Sequence, residues 1–255
     1  MPSPSIKTSS LEICCYSIAD IKAAIVGGAD RVEFCAGQTE GGTSPSYGAL
    51  KQASKYLADI DIVVMLRPRG GDFCYDADEL EQMQNDLEVI KTLGFSGVVL
   101  GVLNHDATVN LSACQRLIDS AEGLAVTFHR AFDCVAEPYL CAEQLAELGI
   151  KRILSSGQQN SAEQGAGLLQ QLQQDFQQIE WLVAGGVRPH NIGLLKQQGF
   201  RHFHSAAAKA LTSPFDSRYS LAMASKGDAK NELQRSQVCQ QQVLEMSQAL
   251  RDSAC

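Results

Sequence analysis

Glu12 and Glu33 are each followed two positions later by a cysteine, Cys14 and Cys35. On a strand that spacing puts both side chains on one face, so each pair offers a carboxylate and a thiol to the same space. Two thiolates on neighbouring parallel strands, about 4.8 Å apart, suit a soft monovalent copper ion, Cu(I). The alternative is that each cysteine is simply a small buried apolar side chain. Arg67 and His129 close two further strand-like runs. A carboxylate, a guanidinium and an imidazole arriving from separate strands make a general acid/base set. On that reading Glu12, Glu33, Arg67 and His129 are the candidate catalytic residues, with His129 nearest a neutral pKa. Burial would raise the pKa of Glu12 and Glu33 unless a cation compensates, and Arg67 is the expected cation. The competing account is a buried ion-pair network that only fills the fold.

Other residues bear on the ligand. In the segment from Arg67 to Asp72 a strand stops at two arginines, a proline and a glycine pair, which puts Arg69 among the candidate ligand-binding residues. The plainer reading is a solvated turn whose arginines pair with Asp72 and Asp76. Gly185 and Gly186 follow the seventh strand-like run, and His204 and Ser205 end the eighth. Many (β/α)₈ barrels hold a phosphate on backbone N–H groups at those two turns. Ser155, after the sixth run, can add a hydroxyl. His202 and His204 can instead join Glu12 in a harder metal site.

The elements that must position these residues follow from periodicity. Apolar runs recur at 11–17, 31–36, 62–67, 97–103, 124–131, 152–155, 180–184 and 201–205, with helical patterns at 19–26, 47–57, 78–93, 111–120, 138–148, 162–176 and 191–198. Eight alternating βα units predict a parallel (β/α)₈ TIM barrel over about 11–207, with an open doubly wound sheet as the alternative. If the apolar side chains face the helices, then Glu12, Cys14, Tyr16, Arg31, Glu33, Cys35, Met65, Arg67, Thr127, His129, His202 and His204 point inward. Asp78 and Glu81 read as a capping box for the third helix. No strand is expected beyond Ala208. The tail reads as a C-terminal helical extension over 208–255, its helix at 231–252, which closes the barrel or meets a partner subunit. The whole is one domain over 1–255.

Composition narrows the classes. The chain has 255 residues, 45% hydrophobic and 20% charged, with a net charge of -8 and no basic block, so neither nucleic acid nor an anionic membrane is an expected partner. No apolar run approaches the ~20 residues of a membrane span. The first ten residues are polar, which points to the cytoplasm. Nine cysteines, an odd count without a CxxC, read as thiols and not as a disulfide framework or zinc knuckle.

Several longer motifs resemble one family. LEICCYS at 11–17, ADRVE at 29–33 with Cys35, EGGTSP at 40–45, RPRGGDFCY at 67–75, VTFHRAFD at 126–133 and HSA at 204–206 are similar, in this order, to the copper homeostasis protein CutC family. The resemblance implies a cytoplasmic (β/α)₈ barrel, a homodimer and a part in copper handling, with the family's proposed copper ligands falling on Cys14 and Cys35. The polar barrel mouth suggests a second reading, an enzyme of unknown reaction acting on a small anionic or phosphorylated metabolite.

Overall fold

In the computed structural model, which describes residues 9–211, 214 and 235–251, eight strands close into a parallel barrel. They are β1 (Ser10–Cys15), β2 (Arg31–Phe34), β3 (Asp61–Met65), β4 (Gly97–Leu100), β5 (Ala125–Phe128), β6 (Arg152–Ser155), β7 (Glu180–Val183) and β8 (His202–Ser205). Each strand pairs with the next, and β8 returns to β1 with Glu12 opposite His204. Helices α1 (Ile18–Gly27), α2 (Tyr47–Ala53), α3 (Ala77–Thr92), α4 (Leu111–Ser120), α5 (Pro138–Glu147), α6 (Ala162–Asp175) and α7 (Ile192–Gln197) connect them. This is the TIM barrel expected from alternation, and not an open sheet.

Inward and outward faces follow the period-two rule. Ile13, Cys15, Val32, Phe34, Ile62, Val64, Leu66, Phe128 and Phe203 are buried among the helices in one continuous core. Inside the barrel the apolar material is divided into two small groups. Cys14, Cys35, Val63, Met65 and Val99 lie on one side, and Leu154, Leu182 and Ala184 on the other. Polar and charged residues, among them Glu12, Glu33, Thr127 and His129, are buried beside them.

Two local readings differ from the sequence. The capping box of α3 uses Asp76, whose carboxylate accepts from the Glu79 N–H at 2.9 Å while Glu79 accepts from the Asp76 N–H at 3.0 Å. The helix starts at Ala77, one residue before Asp78, because Asp76 is extended and Glu79 is also held by Arg69 at 2.5 Å.

The tail differs more. An antiparallel ribbon pairs β9 (Ala208–Leu211) with β10 (Arg235–Val238), and helix α8 is confined to Gln240–Arg251. Neither strand shows apolar alternation; tertiary bonds fix them. The Val238 N–H donates to Asp20 Oδ1 at 2.8 Å and the Cys239 N–H to the Ala207 carbonyl at 2.7 Å. The expected helix residues 231–234 and 252 lie outside the described residues. Helix α8 packs between α1 and α7, with Lys196 donating to the Leu250 carbonyl at 2.8 Å and Ser247 to the Gly28 carbonyl at 3.0 Å. Among the described residues it is the eighth helix, and it closes the outer ring. Among the described residues no helix is long and apolar enough to cross a membrane.

Candidate functional site

β1 supplies Glu12 and Cys14, β2 supplies Arg31 and Glu33, and β8 supplies His204. Glu12 lies opposite Arg31 and Cys14 opposite Glu33, so Cys35 stands one inward position higher than Cys14. Barrel stagger has therefore moved the thiols out of register, yet their sulfurs are 3.9 Å apart. The Glu12 carboxylate forms a buried ion pair with the Arg31 Nε–H and accepts from His204 Nδ1 at 2.7 Å. His204 Nε2 is 3.7 Å from Glu33, and the Cys35 thiol donates to Glu33 at 3.5 Å. Lower in the barrel, Glu180 is shared between Arg31 at 3.4 Å and Arg152 at 2.5 Å. The result is a row of alternating charge from Glu180 through Arg31 and Glu12 to His204.

This row sets the protonation states. Burial pushes Glu12 up, but Arg31 and His204 outweigh it and the carboxyl settles at about 2. Burial would strip the proton from His204, and Glu33, Cys14 and Glu12 together reverse that and raise it well above its ordinary value. The hydrogen bond between the two sulfurs holds the Cys14 thiol well below the usual range, while burial and the charge on Cys14 raise Cys35 and Glu33. Glu12 is thus an anion and His204 and Arg31 are cations, with Cys14 shifted toward its thiolate and Cys35 and Glu33 shifted away from their charged forms. Arg31, not Arg67, compensates Glu12. Composition could not reveal this, because both arginines point inward and only the register selects between them.

Above the row a cavity of about 210 Å³ opens at the carboxyl ends of the strands. Cys14, Glu33, Arg67, His129 and His204 line it; Cys35 is not on the lining, and its sulfur is reached through that of Cys14, 3.9 Å away. Arg67 is 5% exposed and spends its Nη hydrogens on the carbonyls of Glu40, Gly42 and Gly71 at 2.7 to 2.8 Å, clamping two loops. His129 accepts the Ala131 N–H at Nδ1, 3.1 Å away, so its proton sits on Nε2. Burial, with help from Arg67, lowers its pKa to about 3. That corrects the expectation of a near-neutral group: His129 is a fixed hydrogen-bond donor and not a base. His129 Nε2 is without a partner and belongs to a side chain that faces the cavity.

The remaining candidates divide. Gly185, Gly186, His204 and Ser205 line the cavity. Arg69 does not; it pairs with Asp72 at 3.1 Å and Glu79 at 2.5 Å and stacks over Tyr75, so the solvated-turn reading describes it. Ser155 donates to Asp133 Oδ1 at 2.6 Å and is buried away from the cavity. His202 lies lower in the barrel, 3.9 Å from Glu180. Sequence reasoning passed over Arg188, which lines the cavity and donates to the Val187 carbonyl at 2.7 Å and to Ser205 at 3.2 Å. Its position just after the Gly185-Gly186 turn was the available signal. Gly101 was also missed: a Cβ there would meet His129 Cε1 at 2.5 Å, so the missing side chain makes room for the imidazole.

The sequence profile of the CutC family matches residues 9–209. The chain belongs to the CutC family. A CutC family protein from Pectobacterium atrosepticum is 46% identical over 206 residues, 81% of each chain. One from Klebsiella pneumoniae is 42% identical over 237 residues, 92% of this chain and 95% of the relative. Among solved structures, a CutC from Streptococcus agalactiae, named as a candidate copper homeostasis protein, superposes with a TM-score of 0.74 at 32% identity, covering 78% of this chain and 98% of that one. In this CutC chain the donor set suits a metal. One donor atom each from Cys14, Glu33 and His204 falls within 4.8 Å of the others, and Cys35 adds a second sulfur. Glu12 fixes the His204 ring through Nδ1 and leaves Nε2 for the site, the arrangement usual behind a metal-binding imidazole.

Proposed function

We propose that this CutC family protein takes part in copper homeostasis by holding Cu(I) between Cys14 and Cys35, with His204 Nε2 as an adjacent third donor. The observation that carries the reading is the buried pair of sulfurs 3.9 Å apart. Sulfur is the preferred ligand of a soft monovalent ion that tolerates few partners, and imidazole is acceptable to it. Cys14 faces the cavity and gives the ion its point of entry. The same reading assigns the protein to the cytoplasm, where thiols stay reduced. The family resemblance alone assigns a homodimer.

The test is a titration of reduced protein with Cu(I) against a competing chelator. One ion per chain is expected, with Cys14→Ser and Cys35→Ser each weakening binding at least tenfold. Wild-type affinity in both variants refutes the thiol site. Tighter binding of Zn(II) that survives Cys35→Ser would point instead to Cys14, Glu33 and His204 as a harder site.

A further inference from the structure

A single ion between two sulfurs does not account for a cavity of about 210 Å³ with arginines on opposite walls. Arg67 follows β3 and Arg188 follows β7, half a turn apart in a ring of eight strands. Among the described residues, neither guanidinium is in an ion pair. Arg67 is bound to backbone carbonyls and Arg188 to a carbonyl and a hydroxyl, whereas Arg130, also on the wall, is matched by Asp133 at 2.7 Å. The acidic group facing the cavity, Glu33, already has His204 3.7 Å away.

The wall also holds a donor with nothing to donate to. His129 Nε2 has no hydrogen-bond partner although its side chain is 3% exposed, whereas Arg67, 5% exposed, has the Tyr75 hydroxyl beside it, and Phe73 packs against both His129 and Arg67. A buried N–H without an acceptor is costly, so it marks where an acceptor oxygen belongs. Across the cavity, Gly185 and Gly186 both adopt left-handed backbone, φ 91° and 77°. A Cβ on Gly185 would meet Ser156 Cβ at 2.8 Å. Ala207, beside the lining residue Ala206, is held at φ 43°, strained for a residue with a side chain, by its N–H bond to Ser205 Oγ at 3.0 Å. Strain kept at the mouth of a cavity is a common mark of a binding loop.

We propose that the barrel mouth binds a small metabolite with two anionic ends, a phosphate at Arg188 and the Gly185, Gly186 and Ala206 turns, and a carboxylate at His129 Nε2 beside the charge of Arg67. The proposal stands whether or not the thiols hold copper.

Calorimetric titration of the full-length, metal-free chain at matched ionic strength tests it, with inorganic phosphate, glycerol 3-phosphate and 3-phosphoglycerate as probes. The expected order of affinity places 3-phosphoglycerate first. Arg188→Gln removes one charged partner and should weaken all three roughly ten- to hundredfold. Ala206→Asp, which breaks no existing bond, should weaken them as well. His129→Asn should weaken only 3-phosphoglycerate, which separates the carboxylate end of the site from the phosphate end. Absence of heat with every probe at millimolar concentration overturns the proposal. So does wild-type affinity in both Arg188→Gln and Ala206→Asp, and so does an equal loss of all probes in His129→Asn.

Discussion

His129 is neutral in the folded barrel and titrates near its ordinary value of about 6.5 once the chain unfolds. With the folded value lowered to about 3 by burial and Arg67, the unfolded state binds the extra proton at every pH between the two. Stability is therefore fully present above pH 6.5, falls as pH drops toward 3, and levels off below. Between pH 7 and pH 4.5 the linkage amounts to about 2.5 kcal/mol, a large part of the total for a domain of ordinary stability. His129→Asn isolates this contribution, since the Asn oxygen keeps an acceptor for the Ala131 N–H but carries no titrating proton. Urea unfolding of both proteins in half-unit steps from pH 7 to pH 4.5 is the assay. The variant should start less stable, by about 1 to 3 kcal/mol for the lost packing against Phe73, and then lose less than wild type as the medium is acidified. Parallel curves for the two proteins would refute the argument that His129 is buried without charge.

Three further perturbations probe the same interior. Glu12→Gln leaves Arg31 and His204 buried without their shared anion and should lower stability by about 3 to 5 kcal/mol in chemical denaturation, whereas Glu180, at the more exposed end of the row, should matter less on replacement by Gln. Gly101→Ala places a methyl 2.5 Å from His129 Cε1 and should destabilise by about 1 to 3 kcal/mol, with a displaced imidazole resonance in the NMR spectrum; an unshifted resonance would show that the ring does not rest on Gly101.

How much of this was legible in the sequence depended on the range of the interaction. The βα alternation showed because each strand of a covered parallel sheet is an apolar run, and the inward direction of Glu12, Cys14, Glu33, Arg67, His129 and His204 followed from period two alone. What could not be read was which inward side chains meet. Arg31 pairs with Glu12 because of a strand register, and Arg67 turns instead to three loop carbonyls. His129 carries a generic imidazole in the sequence and becomes a permanent donor only through one backbone N–H and complete burial. The ribbon of β9 and β10 lacks any pattern of its own, since its geometry is imposed by Asp20 and Ala207 from elsewhere in the chain. Arg69 and Ser155 were conspicuous by type and position, and each is satisfied locally.

The alternating row from Glu180 to His204 leaves the barrel interior electrically balanced before anything enters it. A monovalent cation arriving between the sulfurs upsets that balance, and the protons on Cys35 and His204 are those that must leave for both atoms to become donors. If Cu(I) binds as proposed, up to two protons leave for the one cation that enters, so uptake would be read as acid release into the surrounding buffer.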